Sequence, residues 1–182
     1  MKLIYFKPFL VFLLILSAIS CKKEFEFPEI TQEGKGTFGC IIDGKKYVPE
    51  DLKSPLSPRV ISASLEQIGA GEYHYLVISV SNDKTKKIGH FKISYYGALE
   101  DLHEGKFDVT DPAIVGRGFS SEIFRGDLYT YATDENTEGA ITILKFDKRQ
   151  KIISGTFAFP MFHSKTGERI EVTEGRFYLK FD

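Results

Sequence analysis

Residues 134–139 carry the spacing closest to a metal loop. Asp134-Glu135-Asn136-Thr137-Glu138-Gly139 places oxygen-bearing side chains at alternate positions ahead of a glycine, as in the first half of a calcium loop. The bidentate acid that closes such a loop is missing, and Lys145 stands in its place. Asp, Asn and Gly are also turn formers, so a polar hairpin turn is expected and no metal is assigned. Four histidines (His74, His90, His103, His163) lie far apart. Two of them on adjacent strands could share a metal, but packed or rim positions are the expectation. Asp108 and Asp111 are a carboxylate pair of the kind used in glycoside hydrolysis. That chemistry needs a defined separation across a cleft, and nothing in the spacing supplies it. The chain has no Walker loop, dinucleotide fingerprint, His-Glu-x-x-His or Gly-x-Ser-x-Gly. No catalytic residue and no cofactor are assigned.

Aromatic residues are the remaining candidates. Tyr73 and Tyr75 share a strand face opposite Leu76, and Tyr129 and Tyr131 share another. Facing solvent, such pairs make a platform for a sugar or a protein. The absence of Trp counts against the sugar. Packed across strands they stabilise the sheet itself, which is the expected role.

The N-terminus has a different chemistry. Lys2 and Lys7 precede an apolar run from Phe9 to Leu16, and the small residues Ser17, Ala18 and Ser20 lead to Cys21. These are the three parts of a secretory signal. The run is shorter than the roughly 20 residues a spanning helix needs. Ser17-Ala18-Ile19-Ser20-Cys21 resembles a lipobox, the recognition site of bacterial lipoprotein signal peptidase, with Ala18 where the common pattern has Leu. The resemblance implies cleavage between Ser20 and Cys21 and a diacylglyceryl group on the Cys21 thiol. The expected layout is a signal peptide over 1–20, a lipidated tether over 21–35 and a globular domain over 36–182. Lys22-Lys23-Glu24-Phe25-Glu26 resembles the surface-export tethers of Bacteroidota lipoproteins, which leaves the membrane face open between periplasm and surface.

Loss of Lys2 and Lys7 from the 24 basic side chains leaves 22 against 25 acids, a net charge of −3. No basic face gathers phosphates, so nucleic acid is excluded as a partner. With Cys21 lipidated, Cys40 has no intramolecular partner, and the fold must rest on its core rather than on disulfides. Cys40 lies in an apolar strand and is expected to be buried and inert.

The elements that must hold these residues read as strands. Expected are Thr37–Ile42, a turn at Asp43-Gly44, Lys46–Val48, a loop from Pro49 to Pro58, Arg59–Gln67, Tyr73–Ser81, a turn over 82–87 and Ile88–Tyr96. Leu76, Ile78 and Val80 alternate as in a half-buried strand. One helical turn is expected over Ala98–His103, a strand over Lys106–Thr110, a loop from Pro112 to Ser121 and one strand over Glu122–Thr133. Four more strands follow: Ile141–Asp147, Ile152–Phe159, Arg169–Thr173 and Arg176–Phe181. In the last, Phe177, Leu179 and Phe181 point one way and Arg176, Tyr178 and Lys180 the other. The pattern argues for an all-β, antiparallel β-sandwich or barrel-like single domain.

Thr37-Phe38-Gly39-Cys40-Ile41-Ile42-Asp43-Gly44-Lys45 resembles the start of the folded domain in uncharacterised Bacteroidota lipoproteins. Ser154-Gly155-Thr156-Phe157 and Thr173-Glu174-Gly175-Arg176-Phe177 resemble strands near its end. The resemblance implies a β fold and a lipid anchor in the outer membrane, and it supplies no active site. Gly155 and Gly175 would permit bulges or close backbone approach. The expected function is non-enzymatic: a binding or interaction module of the cell envelope, attached to the membrane by its lipid and holding a protein or glycan ligand. The alternative is an envelope hydrolase whose site is dispersed in sequence.

Overall fold

Alternating side chains need a sheet with one face turned inward, and the computed structural model supplies one. It describes residues 35–49, 60–81, 89–109, 118–125 and 128–182. These form eleven strands and no helix. They are β1 (Thr37–Ile42), β2 (Lys45–Tyr47), β3 (Ile61–Gln67), β4 (Tyr73–Ser81), β5 (His90–Ala98), β6 (Gly105–Asp108), β7 (Gly118–Arg125), β8 (Leu128–Ala132), β9 (Ala140–Asp147), β10 (Ile152–His163) and β11 (Arg169–Lys180). The main path runs β2-β1-β11-β10-β8-β7-β5-β4-β3. The expected all-β antiparallel class is found. Of the two architectures left open, the sheet takes the barrel-like one, curling into a half-barrel.

The long strand β10 organises this curl. One edge pairs with β11 from Ile152 to Phe162. The other pairs with β9 as far as Ala158, then with β8 at Phe162 and His163. The sheet forks in the gap, which holds Pro160, whose nitrogen has no hydrogen to give a partner strand. The side branch continues from β9 to β6 and bends back: Val109 bridges Phe119, and the Phe107 and Phe119 rings meet edge-on at 5.2 Å. At the far end β3 reaches the end of β11, where the Asp182 amide donates to the Ala63 carbonyl at 3.1 Å.

A bulge sets which side chains of β11 face inward. Thr173 and Glu174 together oppose Ala158, and Glu174 has φ 51°. One extra residue reverses the inward parity of everything after it. Ile170 and Val172 are buried before the bulge, and Gly175, Phe177 and Leu179 after it. A Cβ on Gly175 would overlap the Phe157 ring, which lies across it from the paired position.

Local expectations need four corrections. Arg169–Thr173 and Arg176–Phe181 are one strand, because Glu174-Gly175 forms a bulge instead of a turn. Glu122–Thr133 belongs to two strands, β7 and β8, and β7 already begins at Gly118. Ala98–His103 contains a hydrogen-bonded turn (Asp101 N–H to Ala98 O, 3.2 Å) and no helix. β10 runs on past Phe159 to His163. The rest of the Pro49–Pro58 loop, the 82–87 turn, Ile88 and residues 110–117 lie outside the described residues.

Aromatic rings fill the inside of the curl. Phe38, Phe91, Phe157, Phe159 and Phe177 contact one another with centroids 5.4 to 6.3 Å apart. Cys40 is fully buried at the edge of this cluster, and burial pushes its thiol pKa far above the ordinary value.

Candidate functional site

The outer face of β3, β4, β5 and β7 carries the most distinctive exposed chemistry. Strand parity turns Leu76, Ile78 and Val80 of β4 and Phe91, Ile93 and Tyr95 of β5 into the core. The alternate residues Tyr73, Tyr75, Ser79 and Ser81 of β4, and His90, Lys92, Ser94 and Tyr96 of β5, face out. Register places Tyr75 beside Tyr96, Ser79 beside Lys92 and Ser81 beside His90. On β7, Glu122 lies beside Lys92 and Phe124 beside His90.

Two tyrosines form a stack at one end of this face. Tyr73 and Tyr96 lie 5.4 Å apart with planes inclined by 6°. Tyr73 is 48 % exposed, and the other exposed large apolar side chain among the described residues is Ile68, on the same β3–β4 hairpin. Tyr75 bonds to the Ser94 hydroxyl at 3.3 Å, and the Lys92 ammonium sits 5.7 Å from its ring centre. Lys92 also donates to Glu122 at 3.0 Å. Burial works to lower the Lys92 pKa, but hydrogen bonds to Tyr75 and Glu122 outweigh it and raise it, holding the ammonium charged. His90 bonds to Ser79 and Ser81 through its two ring nitrogens, at 3.1 and 3.2 Å. Burial first, and then the neighbouring Lys92 charge, lower its pKa and favour the neutral ring. The result is a preorganised face of hydroxyls and rings with one ion pair at its centre.

The Asp134 segment has a different role. The Asp134 carboxylate accepts the Asn136 amide at 2.8 Å, and the Thr137 hydroxyl accepts the Asp134 amide at 2.9 Å. Gly139 then packs where a Cβ would meet the Ala158 carbonyl at 2.6 Å. These bonds build a turn that fills the fork of the sheet. Among the described residues, no three His, Cys, Asp or Glu side chains converge as a metal site. A chelator is expected to leave the melting temperature of the purified protein unchanged. A fall of several degrees on adding EDTA would restore the calcium reading of this loop.

The histidines do not meet. His74 accompanies the Gly97 end of β5 and His90 the opposite end. His103 lies against Phe107 at the rim, and His163 accepts the Lys165 and Thr166 amides in the β10–β11 turn. Asp108 borders an open groove of about 580 Å³ with Lys106, Thr137 and Glu138. Asp111, Ser20 and Cys21 lie outside the described residues. The sequence reading missed Tyr96 and Ser94. Their alternation with Ile93 and Tyr95 was visible, but their position beside β4 depends on register.

Together these features define an all-β half-barrel with an aromatic inner face and a hydroxyl- and tyrosine-bearing outer face. Residues 98–179 match the family model of DUF6252, a domain of unknown function. The match runs from the end of β5 into β11 and covers less than half of the chain. It includes the Ser154–Phe157 and Thr173–Phe177 strands and excludes Tyr73, Tyr75 and Tyr96. No curated protein and no solved structure shows significant similarity to this chain.

Proposed function

We propose that the chain is a lipid-anchored Bacteroidota lipoprotein whose domain is a non-catalytic binding or interaction module. Cleavage between Ser20 and Cys21 and acylation of Cys21 attach it to the outer membrane. The ligand is a protein or a glycan, held on the Tyr73–Tyr96 face. The observation that carries this reading is the stacked tyrosine pair, with the Tyr73 ring half-exposed, beside ordered hydroxyls. Its rings are fixed before any ligand arrives, so little side-chain freedom is lost on binding. The bonds of Lys92, His90 and Tyr75 to neighbours on the same face fit positioning of a surface rather than proton transfer.

The test compares the mature chain carrying Cys21→Ser with its Tyr73→Ala variant, on a glycan array and against solubilised envelope proteins. A ligand retained by the parent is expected to bind the variant at least about tenfold more weakly, as for an aromatic anchor of a binding surface. Equal retention by both would move the site off this face.

A further inference from the structure

The outer face already holds one cation, the protein's own. The Lys92 ammonium sits 5.7 Å from the centre of the Tyr75 ring and donates to Glu122 at 3.0 Å. A tyrosine ring beside a carboxylate suits an ammonium or guanidinium, because the ring face is electron-rich and the carboxylate carries the counter-charge.

The Tyr73–Tyr96 end of the same face repeats these groups without a described cation of its own. Tyr73 stacks on Tyr96 and stays 48 % exposed. Glu66 pairs with Tyr75, which pairs in turn with Tyr96. Glu72 precedes Tyr73 in the chain. Tyr73 pairs with Ala98, and the turn that follows Ala98 carries Glu100 and Asp101. Glu66, Glu72, Glu100 and Asp101 are all exposed. Glu100 and Asp101 also line an open pocket of about 360 Å³ with His103, Phe107 and Gly118, and Gly118 pairs with Tyr96. Residues 61–81 and 93–105 hold five acids (Glu66, Glu72, Glu100, Asp101 and Glu104) and no Lys or Arg. Among the described residues, Glu66, Glu72 and Glu100 have no ion-pair partner.

We propose that this end of the sheet binds a basic segment of a partner protein, with an Arg or Lys side chain laid on the Tyr73 ring and neighbouring cations set against Glu66, Glu72 and Glu100. A guanidinium stacks flat on an aromatic ring and pairs with carboxylates, and tyrosine and arginine are both enriched where proteins meet. A neutral glycan would leave the carboxylates without a counter-charge. The inference rests on the reading that the Tyr73–Tyr96 face is the binding surface, and it selects a protein over a glycan.

The test is fluorescence anisotropy of a labelled Gly-Arg repeat peptide with the mature Cys21→Ser chain. Gly-Gln and Gly-Glu repeats of the same length and an oligomer of glucosamine run beside it. The Gly-Arg peptide is expected to bind, and to bind more weakly as salt is raised. The other two peptides are expected not to bind. Glu66→Gln/Glu100→Gln should weaken binding at least about threefold, since exposed ion pairs are individually weak. Tyr73→Ala should weaken it about tenfold, and Glu168→Gln, in the β10–β11 turn, should leave it unchanged. Four results would overturn the proposal: equal binding of the Gly-Gln peptide, parental affinity in the Glu66/Glu100 variant, an equal loss in Glu168→Gln, or tighter binding of the glucosamine oligomer. Failure here is separable from failure of the surface. If Tyr73→Ala weakens retention of an envelope ligand while the Gly-Arg peptide does not bind, the surface stands and the basic partner falls.

Discussion

Phe177→Ala is expected to destabilise the domain by about 3–5 kcal/mol, toward the upper end of the range for truncating a buried phenylalanine. The size follows from its neighbours. Phe177 has no exposed surface and stacks on Phe157 at 6.3 Å. Its paired neighbour on β10 is Gly155, where a Cβ would come within 2.7 Å of the Phe177 ring and 2.5 Å of the Thr142 carbonyl. The ring therefore occupies space that a glycine leaves open and that no side chain there can refill. A cavity that cannot collapse costs more than one that can. Domains of ordinary stability have only about 5–15 kcal/mol in hand, so the variant should unfold at markedly lower urea. The measurement is the urea midpoint with the slope unchanged, beside the exposed control Lys180→Ala, which should shift stability by less than about 0.5 kcal/mol. A loss below about 1 kcal/mol would mean that the Glu174 bulge does not reverse the strand as described.

Cys21→Ala is expected to abolish acyl labelling and release the protein from membranes. A thioether-linked diacylglyceryl group carries two chains, and each buried methylene contributes about 0.8 kcal/mol. One chain holds a protein only marginally, and two hold it stably, so loss of the attachment thiol should act as an all-or-none change. Cys40 cannot substitute, since it is fully buried with its pKa pushed up by desolvation, and a thiol acts as a nucleophile only as the exposed thiolate. The measurement is incorporation of labelled fatty acid together with fractionation of membranes. Persistent label in the variant would refute Cys21 as the attachment site.

Much of the strand pattern was legible locally. β1 and β4 have the expected bounds. Leu76, Ile78 and Val80 face inward as their alternation implies, and so do Phe177, Leu179 and Phe181. The opposite face of that last strand departs from expectation, because Tyr178 is buried as well. Gly155 and Gly175 are places of close approach, as their setting within strands implies. Turn-forming chemistry proved ambiguous. Glu174-Gly175 has the composition of a turn but forms a bulge, because β1 and β10 flank β11 on both sides and hold it straight.

Alternation, apolar runs and glycine placement determined the all-β class, the inward side of most strands and the absence of stapling disulfides from the expected fold. These are local properties, because period-two geometry turns each side chain up or down without reference to any other strand. The fork at β10, the closure of β3 on β11, the Tyr73–Tyr96 stack and the burial of Tyr178 were decided by the tertiary structure. Each depends on which strands pair and in which register. Register is set by contacts between residues far apart in the chain, and one bulge is enough to shift it.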